Sequence, residues 1–308
     1  MTTATFPPIL QVGQFPGAMQ AAIDARLTTH REPHAAIQGI LTRSNTRIEP
    51  ALIDALPALR VIATCGVGYD NIPLDLCRAR AIAVSNTPGV LNDAVCELAV
   101  GLLLSLLRRL PAADRFVREG NWAHGAFPLT RSLAGKRVGI VGMGRIGVDL
   151  AQRLLPFKVS IAYTGPREKP QLPYRYCPQL LDLAHDSDVL VLTCPGGPET
   201  DHLVNAEVLT ALGPTGLLIN MSRGSVVHES DLIDALERQI IAGAALDVVT
   251  DEPHVPPRLR ALPNVVLTPH VGSATEETRV AMTRLAIDNL ESFFTHQSLL
   301  TPVVAIDT

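Results

Sequence analysis

Val138-Gly139-Ile140-Val141-Gly142-Met143-Gly144-Arg145-Ile146-Gly147 is a Gly-x-Gly-x-x-Gly sequence. It follows directly on an aliphatic strand, Arg137–Val141, and opens a helical pattern, Ile146–Leu155. Gly142 permits the tight turn, Gly144 lets backbone approach a pyrophosphate, and Gly147 allows close helix–strand packing. The helix N-terminus then turns free N–H groups and the positive end of its dipole toward the phosphates. With both flanks in place, the motif predicts a dinucleotide site on a doubly wound parallel sheet.

The pattern extends in both directions. Downstream, aliphatic runs at Val159–Tyr163, Val189–Thr193, Leu217–Asn220, Ala244–Val248 and Val265–Thr268 alternate with helical stretches Gln179–Ala184, Asn205–Ala211 and Glu229–Arg238. Upstream, strands at Ile9–Val12, Ala36–Leu41, Arg60–Thr64 and Ile82–Ser85 alternate with helices at Ala18–Leu27, Pro50–Leu56 and Pro73–Arg80. Two βα series imply two α/β domains, each a parallel sheet covered by helices. A helical pattern from about Asn92 to Glu119, with Pro111 as its break, connects them. It is too apolar for a solvated helix and is expected to bury surface against a domain or a second subunit. A last helix spans Glu276–His296, and Pro302–Thr308 is expected to return to the first domain.

Composition excludes other classes. In 308 residues, 47% are hydrophobic and 18% charged, the balance of a globular protein and not of a disordered one. A formal charge of −4 gives no reason to expect nucleic acid or an anionic membrane. The longest apolar run, Leu98–Leu107, is about half of what a membrane helix needs. Cys65, Cys77, Cys96, Cys177 and Cys194 include no Cys-x-x-Cys pair, so no disulfide framework or metal site is expected. No basic segment followed by an apolar run opens the chain, and a cytoplasmic protein is expected.

The dinucleotide is read at the end of the second strand after the glycine motif. NAD enzymes usually place Asp or Glu there for the ribose 2′-hydroxyl. Here Ile161-Ala162-Tyr163 is followed by Thr164, no acid occurs between Asp149 and Glu168, and Arg167 and Lys169 follow closely. These cations suit a 2′-phosphate, so NADP (as NADPH) is expected in preference, with NAD possible.

Three segments place polar residues just past buried strands: Asn220-Met221-Ser222-Arg223-Gly224, Leu246-Asp247 through Glu252-Pro253, and Leu267-Thr268-Pro269-His270. Ligands of open α/β sheets bind beyond the carboxyl ends of the strands, so all three segments are expected at one crevice. Arg223 is a permanently charged planar fork suited to a carboxylate and a polarised carbonyl. Histidine, with an unperturbed pKa of about 6.5, moves protons at neutral pH, the role expected of His270. A neighbouring Glu252 carboxylate orients an imidazole and favours its charged form. Together these parts suit hydride transfer to the carbonyl of a 2-oxo acid.

Over nearly its whole length the chain resembles the D-isomer-specific 2-hydroxyacid dehydrogenases, and is most similar to their glyoxylate/hydroxypyruvate and hydroxyphenylpyruvate reductase branch. The segments that carry the resemblance are 65–72, 84–89, 139–147, 194–200, 220–224, 245–253 and 268–274. The resemblance implies a catalytic Arg223, Glu252 and His270, a substrate carboxylate received by the backbone N–H groups of Val67 and Gly68, and further substrate contacts from Arg223 and His270. It implies cofactor contacts at Val95, Gly142, Gly144, Arg145, Ile146, Gly147, Thr164, Arg167, Thr193, Pro195, Met221, Ser222, Asp247, His270 and Gly272. Thr193 departs from the family pattern, where His is frequent. A flavodoxin-like substrate domain, 1–97 with 283–308, is implied around an inserted Rossmann domain, 98–282. A homodimer is implied as well, with an arm from Arg118 to Thr130 that carries Trp122. An NAD-linked enzyme of another subfamily remains an alternative, as does a dinucleotide-sensing corepressor. The family's formate enzymes carry Gln at the position of Glu252.

Overall fold

The computed structural model describes residues 6–305. The chain begins with β1 (Ile9–Gln11), α1 (Ala18–Asp24), β2 (Thr29–His30), β3 (Gly39–Arg43), α2 (Pro50–Asp54), β4 (Val61–Cys65), α3 (Leu74–Ala79) and β5 (Ala83–Ser85). Next come α4 (Asn92–Arg108), α5 (Leu110–Arg118), β6 (Arg137–Val141), α6 (Arg145–Leu154), β7 (Ser160–Thr164), β8 (Arg175–Tyr176), α7 (Leu180–His185) and β9 (Val189–Leu192). They are followed by α8 (Ala206–Leu212), β10 (Leu217–Asn220), α9 (Glu229–Glu237), β11 (Gly243–Leu246), α10 (Pro257–Ala261) and β12 (Val265–Leu267). The last elements are α11 (Glu276–His296) and β13 (Pro302–Val304).

Two compact units result. One comprises residues 1–91 with 274–308, and the other residues 92–273. The boundaries expected at 97/98 and 282/283 would cut through α4 and α11. Each helix instead stays whole within one unit, because a helix buries its apolar face as a single body.

The unit built from both chain ends holds a six-stranded sheet in the order β13-β5-β4-β3-β1-β2. All its pairs are parallel except β13 on β5, where the returning chain caps the edge with Pro302 opposite Ser85. Ile40, Ile62 and Val84 stack across neighbouring strands and pack with Ile37, Ile53 and Leu56. The other face is covered by α11, which lies against β4 and α1. Residues 306–308 of the expected return lie outside the described residues.

The second unit is a seven-stranded parallel sheet in the order β12-β11-β10-β9-β6-β7-β8. Side chains alternate between its faces. Val138, Ile140, Val189 and Val191 share one core with α4 and α6, while Val141, Leu190 and Leu192 share another with α7, α8 and α9. The strand order reverses between β6 and β9, which makes their carboxyl ends the crevice where this topology binds ligands. The long helix breaks at Arg109, ahead of the expected Pro111, and Arg109 takes a left-handed φ of 52°. Pro111 falls in the first turn of α5, where its missing N–H has no partner to lose.

Candidate active site

The glycine turn sits at the strand-order reversal. Gly142 follows β6 with φ 95°, and a Cβ there would lie 2.5 Å from Cys194 Cα. Thr193, just past β9, donates its hydroxyl to Gly142 O at 2.7 Å, and Gly142 N–H donates to Thr164 O at 3.0 Å. A Cβ on Gly147 would meet Gly142 O at 2.4 Å, whereas nothing lies within 4 Å of one on Gly144. Gly144 and Arg145 are exposed at the head of α6. The turn is therefore closed on its protein side and open over the helix N-terminus, the shape a pyrophosphate needs. The donor set fits a dinucleotide.

Thr164 ends β7 and is buried, and the loop after it is tied at both ends. Tyr176 donates its hydroxyl to Gly165 O at 3.0 Å, and the hydroxyl of the fully buried Tyr163 accepts Lys169 N–H at 2.7 Å. Lys169 Nζ donates to Met143 O at 2.5 Å. The sequence expectation of Lys169 as a partner for a 2′-phosphate is thus modified. Its ammonium joins this loop to the glycine turn, while Arg167 stays exposed.

Beyond β10, the Asn220 carboxamide closes the turn that bears Arg223. Its Oδ1 accepts Ser222 N–H at 2.9 Å, and its Nδ2 donates to Arg223 O at 2.9 Å. The Arg223 stem lies over Gly196, where a Cβ would stand 2.7 Å from Arg223 Cγ. Ser222 is buried and donates its hydroxyl to Cys194 O. Gly224 backs onto Val249 and Thr250, at the start of the loop that leads to Glu252.

Asp247, one residue past β11 and only 3% exposed, fixes the turn after β12. Its Oδ1 accepts the Thr268 hydroxyl at 2.7 Å and Val271 N–H at 2.8 Å, and its Oδ2 accepts Gly272 N–H at 2.8 Å. His270, at the centre of this turn, has a left-handed φ of 53° and donates its own N–H to Asp247 O at 2.8 Å. A Cβ on Gly272 would touch Asp247, Met221 and Val95, so these four expected cofactor residues form one wall. His270 Nδ1 and Glu252 Oε2 stand 2.7 Å apart, each side chain about a third exposed. With the proton on Nδ1, the imidazole donates to the carboxylate and leaves Nε2 for chemistry.

Residues 100–272 match the model of the family described as D-isomer specific 2-hydroxyacid dehydrogenase, NAD binding domain. Glyoxylate/hydroxypyruvate reductase A HPR2 of Arabidopsis thaliana is 48% identical, over 90% of this chain and 88% of its own length. Hydroxyphenylpyruvate reductase of Plectranthus scutellarioides is 47% identical over 87% of this chain and 86% of its own. This chain belongs to the D-isomer-specific 2-hydroxyacid dehydrogenase family. The dehydrogenase fold is similar to that of the crystal structure of an NADPH-dependent glyoxylate/hydroxypyruvate reductase from Sinorhizobium meliloti in complex with NADP and malonate. The TM-score is 0.92 at 42% identity, over 97% of each chain. Members of the family are NAD(P)-dependent oxidoreductases that interconvert 2-oxo and 2-hydroxy acids, and this dehydrogenase is one of them.

Within the dehydrogenase, Val67 and Gly68 lie in the other unit, on the loop that leaves β4. Trp122 is 69% exposed, and α5 buries no residue. No group of His, Cys, Asp and Glu among the described residues could hold a metal ion, and none of their helices is long and apolar enough to cross a membrane. Sequence reasoning gave Asp247 only a cofactor contact and missed its grip on the His270 turn. Its signal was a lone acid at the end of a buried aliphatic strand, which needs donors to be there at all.

Proposed function

We propose that the protein is an NADPH-preferring reductase of small 2-oxo acids, glyoxylate and hydroxypyruvate first and aryl-pyruvates next, yielding D-2-hydroxy acids. The observation that carries this reading is the His270–Glu252 pair, held by Asp247 beside the wall of Val95, Met221 and Gly272. Val95, Met221 and Gly272 would hold the nicotinamide, which when bound would supply a hydride for C2 of the 2-oxo acid. As the carbonyl oxygen gains charge, His270 gives it a proton from Nε2, while Glu252 holds the ring through Nδ1. Arg223 binds the carboxylate and polarises the carbonyl. The open amides of Val67 and Gly68 are carboxylate donors.

Cofactor preference rests on Thr164, which presents no carboxylate to repel a 2′-phosphate, and on the exposed Arg167 close after it. The name of the Sinorhizobium meliloti relative and its bound NADP support the same preference. A homodimer is supported by apolar side chains left outside along α5 and the arm that follows it: Leu110, Val117, Trp122 and Leu129, the last wholly exposed. A second copy is the partner that would cover them.

The test is a panel of 2-oxo acids assayed with NADPH and NADH at matched concentrations. kcat/KM should favour NADPH, and Arg167→Ala should raise the KM for NADPH while leaving that for NADH nearly unchanged. Clear preference for NADH would overturn the cofactor reading and favour an NAD-linked subfamily. Turnover of none of the panel would overturn the substrate reading. Light scattering after gel filtration tests the dimer.

A further inference from the structure

The amides of Val67 and Gly68 are aimed by groups far from them in sequence. A peptide unit is planar, with its C=O and the following N–H pointing in opposite directions, so fixing a carbonyl fixes the next N–H. Thr87 N–H donates to Gly66 O at 2.8 Å and thereby sets the direction of the Val67 N–H. Asn86 Nδ2 donates to Val67 O at 2.8 Å and sets the Gly68 N–H in the same way. Gly66 N–H is taken by the Thr87 hydroxyl at 2.8 Å. Gly66 itself has φ 152°, and a Cβ there would fall 2.1 Å from Ser44 Oγ, so only glycine fits at this close approach. Neither Val67 N–H nor Gly68 N–H has a hydrogen-bond partner among the described residues.

Asn86 is held in turn. Thr301 donates its hydroxyl to Asn86 O at 2.5 Å, and Asn86 N–H returns a bond to Thr301 O at 3.4 Å. Thr301 leans on Asn289, deep in α11 and 0% exposed. Asn289 Oδ1 accepts Thr301 N–H at 3.0 Å, and its Nδ2 donates to Thr301 Oγ1 at 2.9 Å and Leu285 O at 2.8 Å. Asparagine disfavours helix interiors, and a buried one with its carboxamide fully engaged marks a specific task.

We infer that Asn86, Thr301 and Asn289 are positioning residues for substrate: a hydrogen-bonded chain that runs from α11 through the returning C-terminal segment and aims the two amides at the substrate carboxylate. The inference rests on the proposed role of Val67 and Gly68, and the test separates the two. In enzyme labelled with 15N-glycine and 15N-valine and saturated with NADP, oxalate should shift the Val67 and Gly68 amide resonances. Asn86→Ala and Thr301→Val should each raise the KM for the preferred 2-oxo acid roughly three- to tenfold, the worth of about one hydrogen bond. kcat should change less than about twofold and the NADPH KM should stay put, since the effect is on substrate binding alone. Thr301→Ser, which keeps the hydroxyl, should restore the KM. If Val67 and Gly68 ignore oxalate in the wild type, their role as carboxylate donors is wrong and the inference goes with it. If they respond, yet both variants keep the wild-type KM, the chain from α11 does not position them. Thr301 is only half-buried and valine matches its shape, so Thr301→Val supplies the answer even where Asn86→Ala fails to fold.

Discussion

Asp247→Asn is the sharpest single test of how the His270 turn is held. The carboxylate takes three donors, the Thr268 hydroxyl and Val271 N–H on Oδ1 and Gly272 N–H on Oδ2. An asparagine of the same shape keeps one oxygen. In its better orientation that oxygen retains Thr268 and Val271, and the new NH2 meets the Gly272 N–H head-on at what was a 2.8 Å bond. In the other orientation Val271 N–H loses its acceptor and meets the NH2, while the Thr268 hydroxyl turns to accept from it. The better case forfeits one bond to a charged acceptor, about 1.5–3 kcal/mol, and leaves a buried N–H unpaired at about 1–3 kcal/mol. Relief from burying a charge, with Asp247 only 3% exposed, offsets part of this. A net loss of about 2–4 kcal/mol corresponds, for a unit of this size, to a Tm lower by roughly 5–15 °C. Calorimetry should show that fall, and kcat/KM should drop about a hundredfold as His270 leaves its left-handed geometry, each tenfold costing about 1.4 kcal/mol. A variant that melts within about 2 °C of the wild type and retains its kcat/KM would refute the argument, because the bonds would then be worth far less than any buried charged set.

Lys169→Met should raise the KM for NADPH and NADH by similar factors, since Nζ holds Met143 O in the turn common to both; an effect confined to NADPH would make Lys169 a phosphate ligand after all. His270→Ala should lower kcat by about 10²–10⁴-fold while a fluorescence titration still shows dinucleotide binding. Glu252→Gln should lower kcat by less, because the ring keeps a hydrogen-bonding partner; equal losses would mean that Glu252 does more than hold the ring. Burial pushes the thiols of Cys65 and Cys96 up to about 12 and that of Cys77 to about 11, and all five cysteines are buried. The native enzyme at pH 8 should therefore react with Ellman's reagent far more slowly than the denatured chain, and a thiol that reacts at once in the native protein would contradict this.

Local chemistry accounts for what was legible beforehand. The glycine turn, β6, β10 and α11 are written in short stretches whose periodicity, glycines and flanks act on their own neighbours, and their observed bounds match the sequence reading. The two-residue strands β2 and β8 are too short to show a period, and α10 is hidden in a proline-rich stretch. That Arg223, Glu252 and His270 stand in loops following aliphatic strands was legible, because the strands β10, β11 and β12 are plain in the sequence. What their partners do was not, since it depends on residues brought together by the sheets. Asp247 grips a turn 21 to 25 residues away, and Thr301 reaches Asn86 across 215 residues. Lys169 looked like a free loop cation because the carbonyl it meets belongs to Met143, and no side-chain pattern announces a backbone acceptor.

A single device recurs along the carboxyl edges of both sheets. A largely aliphatic strand ends in, or is followed within two residues by, a buried or half-buried polar side chain that bonds the backbone of a loop with work to do. Thr193 past β9 holds Gly142 O, Asn220 at the end of β10 holds the Arg223 turn, and Asp247 past β11 holds the His270 turn. Asn86 and Thr87 past β5 hold Gly66 and Val67. Burying such groups is unfavourable unless every bond is made, so each fixes one loop geometry and penalises the rest. Catalytic groups need that rigidity within fractions of an ångström, and loops do not provide it by themselves. The aliphatic strands supply the dry surroundings in which these few hydrogen bonds are strong. The loops remain free to carry Arg167, Arg223, Glu252 and His270 outward, and substrate preference can therefore change through the exposed residues while the buried anchors keep the reaction geometry.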